Sequence, residues 1–445
     1  MGMNAAVKNW WAGQPWAWVC LGLLGAWPGC ALAENWPQWR GPFFNGATSE
    51  TNLPAQWTLA DPSVRSTPLP GRSGATPVVW DNHVFVSSPD PEKNLRLFCI
   101  QAVDGKIRWS RKVGEGDRVQ GKNNLASCSP VTDGQRVYAL FGSSDLAACD
   151  FDGNLAWQRK LSGEFGAFAN LFLYGASPLL YAGKLYVPLL QRNPPTYGHA
   201  LDSRPTRQSW LICLDPATGR TLWRHERPSD AREEAMEAYT TPLPRAGANG
   251  TELILLGADC VTAHHPDTGA EIWRYSGLNR VKNPGGRIVP SPVCAPGLVF
   301  ACGPKREMLI TLRTGRSGQL GPPDEAWQTT TYVPDVCTPL YYRDKLFVLD
   351  GDRQVLTCFQ PATGEKVWQG RLGIREIFNA SPTGADGKIY CVSEEGTVVV
   401  VSAGEKFEIL ATIPMGEGPV MSSVAVAGRR LFIRTSKNLY GIAAQ

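Results

Sequence analysis

Two motifs recur along the chain at blade-sized intervals, and they constrain its fold more than any other feature. Ser-Pro or Thr-Pro opens an apolar stretch at Thr76-Pro77, Ser129-Pro130, Ser177-Pro178, Thr241-Pro242, Ser291-Pro292, Thr338-Pro339 and Ser381-Pro382. The prolines lie 53, 48, 64, 50, 47 and 43 residues apart, and Ser422-Ser423 opens a last copy without proline. A tight-turn glycine is followed four residues later by tryptophan at Gly105/Trp109, Gly153/Trp157, Gly219/Trp223, Gly269/Trp273 and Gly364/Trp368. A repeat of this length, with a hairpin in each copy, is the signature of a propeller. The glycine supplies the turn into the fourth strand, and the tryptophan is placed to pack across the gap to the neighbouring blade.

The copies predict an all-β, eight-bladed propeller of four-stranded antiparallel blades, spanning 34–445 as a single domain. Two copies depart from the pattern. Thr314-Gly315 is followed by Trp327 only after RSGQLGPPDEA, an insertion in the turn, and Ala403-Gly404 has Phe407 at a different offset. The eighth copy ends after three strands, so its fourth is expected from the N-terminal segment LPAQWTL, with Trp57 in the docking role. Pairing both chain ends in one blade removes free sheet edges. The 46 glycines, 35 prolines and 16 tryptophans fit many short strands joined by turns.

Residues 1–33 read as a secretory signal. Lys8 is their one charged side chain, an apolar run from Trp16 to Trp27 follows, and Ala31-Leu32-Ala33 offers an A-x-A cleavage site. The run is too short and too interrupted by Gly22, Gly25 and Pro28 to anchor in a membrane. A lipoprotein reading would instead acylate Cys30. The expected location is therefore periplasmic or cell-envelope, with no transmembrane segment later in the chain. The 44 Lys+Arg against 40 Asp+Glu give a net charge of +4, which offers no electrostatic support for nucleic-acid binding.

The strings LICLDPATGRTLW, ADCVTAHHPDTGAEIW and LTCFQPATGEKVW resemble the PQQ-like β-propeller repeat, named from pyrroloquinoline-quinone dehydrogenases. The resemblance runs from Trp36 to the C-terminus. The opening ENWPQWRGPFFNGATSETNLPAQW is similar to that of exported bacterial PQQ-like propellers. A related propeller lipoprotein of the outer-membrane β-barrel assembly machinery, BamB, is a scaffold. The repeat implies the fold and leaves function open, because one propeller serves enzymes, scaffolds and ligand binders. The quinoprotein dehydrogenases use adjacent cysteines against the cofactor and a Glu/Asn/Asp set for calcium. This chain has no adjacent Cys-Cys. No cofactor is expected, PQQ with calcium included, and Asp259 and Asp350 read as turn formers.

Other chemical signatures are weak. Ten cysteines remain beyond Cys20 and Cys30; Cys99, Cys213 and Cys358 each precede a turn glycine by six residues, the pattern of small buried hydrophobes on equivalent strands. No C-x-x-C, G-x-S-x-G or phosphate loop occurs. The HHPD run ending at Asp267 aligns with LDPAT and reads as a turn. The segment SDAREEAMEAY looks helical, with Glu233, Glu234 and Glu237 on a solvated face.

Long loops join the fourth strand of one blade to the first of the next, and all emerge on one face. With the loop QRNPPTYGHALDSRPTRQ they bring Arg118, Asn124, Phe168, Tyr174, Tyr197, Tyr239, Arg280, Arg287, Arg375 and Asn379 toward one rim. Arginine and aromatic enrichment suits an envelope protein, peptide or carbohydrate ligand. The same aromatics could tuck under the loops and plug the channel. The expectation is an exported, monomeric, non-catalytic binding or scaffold module; the alternative is a quinoprotein-type oxidoreductase or other enzyme with a site in the central funnel.

Overall fold

A computed structural model describes residues 34–193, 206–247 and 249–444. The segment 1–33 expected to be a signal, with Cys30, and Tyr197 lie outside the described residues. Eight sheets stand around one axis, each built on four antiparallel strands of which the first faces the channel. In blade one the strands are Val78–Trp80, His83–Pro89, Asn94–Gln101 and Ile107–Glu115. Middle strands such as Thr397–Ser402 (TVVVVS) are buried almost throughout, because sheets pack on both of their faces. Outer strands such as Leu155–Lys160 carry polar residues and meet solvent.

The ring closes through both ends of the described chain, but the closing strand differs from the expected one. Val64–Pro68 pairs with Asn438–Ala443 in blade eight, Val64 opposite Ile442 and Pro68 opposite Asn438. LPAQWTL forms no strand. It packs beside blade seven, where Tyr390 donates its hydroxyl to the Pro54 carbonyl at 2.9 Å, and Trp57 is buried in the cluster shared by blades seven, eight and one. Thr67 stands where a docking side chain would be in blade eight, donating to Gly105 O at 2.6 Å. The closing strand VRSTP lacks a tryptophan, which hides it from a search for the docking motif.

Between other blades the tryptophans dock as a set. The indole N–H donates to a carbonyl of the next blade's turn from Trp109 to Phe151 (2.8 Å), Trp157 to Pro216 (2.8 Å), Trp223 to Pro266 (3.2 Å) and Trp368 to Gly404 (2.9 Å). The ring face lies against the turn glycine. Gly219 has φ +72°, and a Cβ there would come within 2.6 Å of Trp157, so this turn requires glycine twice over. Trp327 belongs to the same set: it sits opposite Thr311 on Glu325–Thr329 and donates to Pro361 O at 2.8 Å.

Trp273 is the exception. The insertion before Trp327 sends Gly318–Leu320 back to pair in parallel with Glu271–Tyr275, giving blade four a fifth strand. The Trp273 ring is buried and its N–H turns to Glu252 Oε2 of its own blade at 3.2 Å.

Candidate functional site

The Ser/Thr-Pro repeat builds the inner wall of the channel. From blade one to blade seven the residue at the Ser/Thr position donates its backbone N–H to the hydroxyl of its counterpart in the next blade: Thr76 to Ser129 (2.9 Å), Ser129 to Ser177 (3.0 Å), Ser177 to Thr241 (3.1 Å), Thr241 to Ser291, Ser291 to Thr338 and Thr338 to Ser381 (each 2.9 Å). Ser423 donates to Thr76 Oγ1 at 3.0 Å and carries the crown across the closure. The following proline has no N–H to offer. A side-chain hydroxyl therefore satisfies the one backbone donor at each of these inner-strand starts, which is why the motif uses Ser or Thr.

One end of the channel is sealed by the segment before the first blade. Trp36 exchanges backbone hydrogen bonds with Val79 of blade one, and Pro37 accepts from Thr132 of blade two. Arg40 is buried and donates to the Pro382, Pro339 and Asn45 carbonyls at 3.2, 3.0 and 3.0 Å. Burial holds its guanidinium down to about 9. Phe44 packs edge-on to Tyr181 of blade three at 6.0 Å, and Glu50 accepts from Gly428 and Arg429 of blade eight. Trp39 lies on this floor, half-buried and facing the channel.

Above the floor opens a funnel of about 520 Å³. Its lower wall includes Ser177, Thr241, Thr338 and Ser381 of the hydroxyl crown, and its mouth is lined by the long loops. Lys122, on the loop after blade one, reaches Glu394 of blade seven at 2.7 Å, and Asn379 donates to the same carboxylate at 2.8 Å. Arg287 pairs with Asp335 at 3.0 Å and lies 5.6 Å over the Phe172 ring. Glu234 stands 3.7 Å from both Arg287 and Lys305, and Asp352 pairs with Arg306 at 2.9 Å. Each of these carboxylates at the funnel thus has a cationic partner.

The ten residues expected at one rim separate into groups. Tyr239, Arg287 and Asn379 line the funnel together. Asn124 is buried beside it, donating to Arg72 O at 2.8 Å and shaping its loop. Phe168 and Tyr174 are tucked beneath their loop, ring centroids 4.6 Å apart, with the Tyr174 hydroxyl on Pro188 O at 2.6 Å. Arg118 and Arg375 are exposed on their loops and do not line the cavity. Arg280 sits at the outer edge of blade four, 3.2 Å from Glu325. Trp39, Phe172, Lys122, Asp335 and the hydroxyl crown escaped the sequence reading. The crown had a signal, the hydroxyl at every repeat.

The acidic segment after blade three also differs from expectation. It forms a single 3-10 turn, Glu233–Met236. Glu237 is not on a solvated face: it is fully buried, held by Arg192 Nε at 3.0 Å and by the Leu171 N–H at 2.6 Å. Burial raises its carboxyl while Arg192 pulls it down, with burial the larger effect. Its other contact, the Tyr239 hydroxyl at 3.3 Å, fixes a funnel-lining ring. His264, the last residue of the strand Cys260–His264, is buried between Gly269 O (3.0 Å) and Thr262 Oγ1 (2.9 Å), its imidazole held down to about 3 mainly by burial and also by Arg227. Cys99 to Cys391 are ten unpaired cysteines, nine of them buried.

Among the described residues no three His, Cys, Asp or Glu side chains converge to hold a metal ion. Asp350 is bound by Arg353 at 3.1 Å and Asp259 by Asn279 at 2.9 Å. No helix among the described residues is long and apolar enough to cross a membrane.

No curated protein sequence matches the chain. Among solved structures it is similar to BamB from Moraxella catarrhalis, at 14% identity and TM-score 0.57, covering 85% of this chain and 98% of that one. It is also similar to the quinohemoprotein alcohol dehydrogenase from Comamonas testosteroni, at 12% identity and TM-score 0.64, covering 92% and 80%. A computationally designed protein, Ika8, shares the fold at 9% identity and TM-score 0.55, covering 89% and 99%. Identities this low carry the fold alone. The model of the family described as outer membrane protein assembly factor BamB matches residues 63–187, 130–369 and 322–444, and the chain belongs to that family.

Proposed function

We propose that the protein is an exported, non-catalytic binding module of the cell envelope that recognises its partner or ligand through the long-loop face and the funnel at its centre. The observation carrying this reading is the asymmetry between the two ends of the channel. One end is closed by the segment bearing Trp36, Trp39 and Arg40. The other opens into a funnel walled by Phe172, Tyr239, Arg287 and Asn379. Loops on a rigid scaffold are where recognition concentrates, and aromatic and arginine side chains carry a disproportionate share of interface energy. Val119, Val281 and Ile377 are exposed large apolar side chains on three of these loops, a rim suited to contact. Against a dehydrogenase stands the donor set, with the funnel carboxylates committed to ion pairs.

The test places a photo-crosslinking amino acid at Val119, Val281 or Ile377 in living cells, with Val103 on the opposite, short-turn face as control. Adducts from the three loop positions and none from Val103 are expected. Equal labelling of both faces would overturn the reading. Purified protein given quinone and calcium should neither form a stable complex nor support dye-linked alcohol oxidation; stoichiometric binding with turnover would establish the enzyme instead.

A further inference from the structure

The funnel's chemistry is more specific than that of a general docking face, and four observations bear on what it takes. The first is the crown. Ser177, Thr241, Thr338 and Ser381 each accept a backbone N–H, which fixes the oxygen, while their hydroxyl protons have no acceptor among the described residues. All four line the cavity. A ligand seated there must bring several acceptors spread around one axis.

The second is charge. Lys122 is answered by Glu394 at 2.7 Å and Arg287 by Asp335 at 3.0 Å. A charged ligand would have to break an ion pair, whereas a neutral one need not. The third is the half-buried Trp39 on the floor, with Phe172 and Tyr239 on the wall, all part of the cavity lining. Flat aromatic faces suit a ligand with one apolar face and a polar perimeter. The fourth is Asn123, whose amide lines the funnel and bonds to no side chain or backbone group among the described residues, so it has both a donor and an acceptor to give.

From these we infer that the funnel binds a neutral carbohydrate, a pyranose face stacked on Trp39 and its hydroxyl oxygens accepting hydrogen bonds from the Ser/Thr crown, with the Asn123 amide beside it. The inference rests on the loop-face reading above and gives it a ligand class. The cavity of about 520 Å³ lies in the usual range for small-ligand sites and has room for a short oligosaccharide. No bond is made or broken; the site is one of binding.

The experiment is titration calorimetry of the full chain. The probes are neutral malto-, cello- and chito-oligosaccharides from di- to tetrasaccharide, beside tri-galacturonate and an unstructured neutral peptide. At least one neutral oligosaccharide should saturate one site. Trp39→Ala should weaken it by about tenfold and Asn123→Ala by about fivefold, roughly one lost anchor and one lost hydrogen bond. Trp39→Phe should keep most of the affinity. Asn123→Ala removes a side chain that makes no hydrogen bond among the described residues, so an unchanged melting temperature separates lost binding from lost folding. Absence of neutral-sugar binding at millimolar concentration, or binding insensitive to Asn123→Ala, would overturn the inference. Preference for the acidic sugar or the peptide would do the same. In each case crosslinks from Val119, Val281 and Ile377 would leave the loop-face reading standing, and their loss would remove that reading as well.

Discussion

At the junction of blades two and three, Trp157 lies on Gly219 and donates to Pro216 O at 2.8 Å. At the junction of blades eight and one, Thr67 reaches Gly105 O with a hydroxyl, and the burial that a tryptophan would provide comes from elsewhere. Trp36, pinned to Val79, and Trp57, packed among blades seven, eight and one, supply it from the segment ahead of the first blade. The first kind of junction is made by equivalent motif positions of successive repeats, Trp157 reaching Pro216 in the next copy. The second is made by a non-repeating segment that also forms the floor of the funnel. Closure and binding floor are therefore coupled in this chain, and the repeating junctions are not.

The largest expected effect breaks that coupling. A variant lacking residues 34–68 loses the strand paired with Asn438–Ala443 and should lose cooperative thermal unfolding altogether. A variant lacking only 34–60 keeps the closing strand but loses Trp36, Arg40 and Trp57. It should still unfold in one transition, with a melting temperature lower by about 10 °C or more. Identical melting curves for the two deletions would mean that the closing strand adds nothing beyond the floor segment.

Next come the repeating junctions. Trp223→Ala should cost about 3–5 kcal/mol in denaturant unfolding, the range of buried large-to-small changes. Trp327→Ala should match it within about 1 kcal/mol, because it makes the same contact with the next blade in spite of its unusual spacing. A Trp327 variant that loses far less would mean that the insertion has uncoupled blades five and six.

What repeats in this chain is legible in its sequence, and what does not repeat is not. Blade number, strand order and the docking role of Trp109, Trp157, Trp223 and Trp368 follow from periodicity, since each depends on contacts between equivalent positions. The closing strand was misplaced because VRSTP has neither tryptophan nor apolar alternation, and only its pairing with the last strand defines it. Trp273 kept the motif spacing but lost the contact, because an insertion some forty residues later covered it with an extra strand. Glu237 read as solvated because its partner Arg192 lies 45 residues away in another loop. Of the rim residues, Tyr239, Arg287 and Asn379 reached the funnel. Which of the others would face it depended on loop conformations that no repeat specifies.

A smaller effect depends on pH and tests a turn of the repeating rim. His264 is neutral in the fold, held down to about 3 from an ordinary value of 6.5. Its folded value lies below its unfolded value, so the unfolded chain binds the extra proton between them. Stability is complete above pH 6.5 and falls as pH drops toward 3, by about 1.4 kcal/mol per unit for this one group. His264→Gln should flatten the slope between pH 6.5 and 4.5 in denaturant midpoints. An unchanged slope would mean that other groups dominate acid unfolding.

The smallest effect contrasts axis and rim at one residue type. Thr241 accepts the Ser177 N–H within the crown, and Thr218 bonds Asp215 in an exposed turn. Valine has the shape of threonine and lacks its oxygen. Thr241→Val leaves a partly buried N–H unanswered and should cost about 1–2 kcal/mol. Thr218→Val should fall within about 0.5 kcal/mol, because water replaces the lost bond. Thr241→Ser restores the acceptor and should return most of the loss, which separates the hydroxyl from the methyl. If Thr241→Val is as mild as Thr218→Val, the crown is not holding the inner strands in register, and the Ser/Thr at each repeat is there for the hydroxyl it shows to the channel.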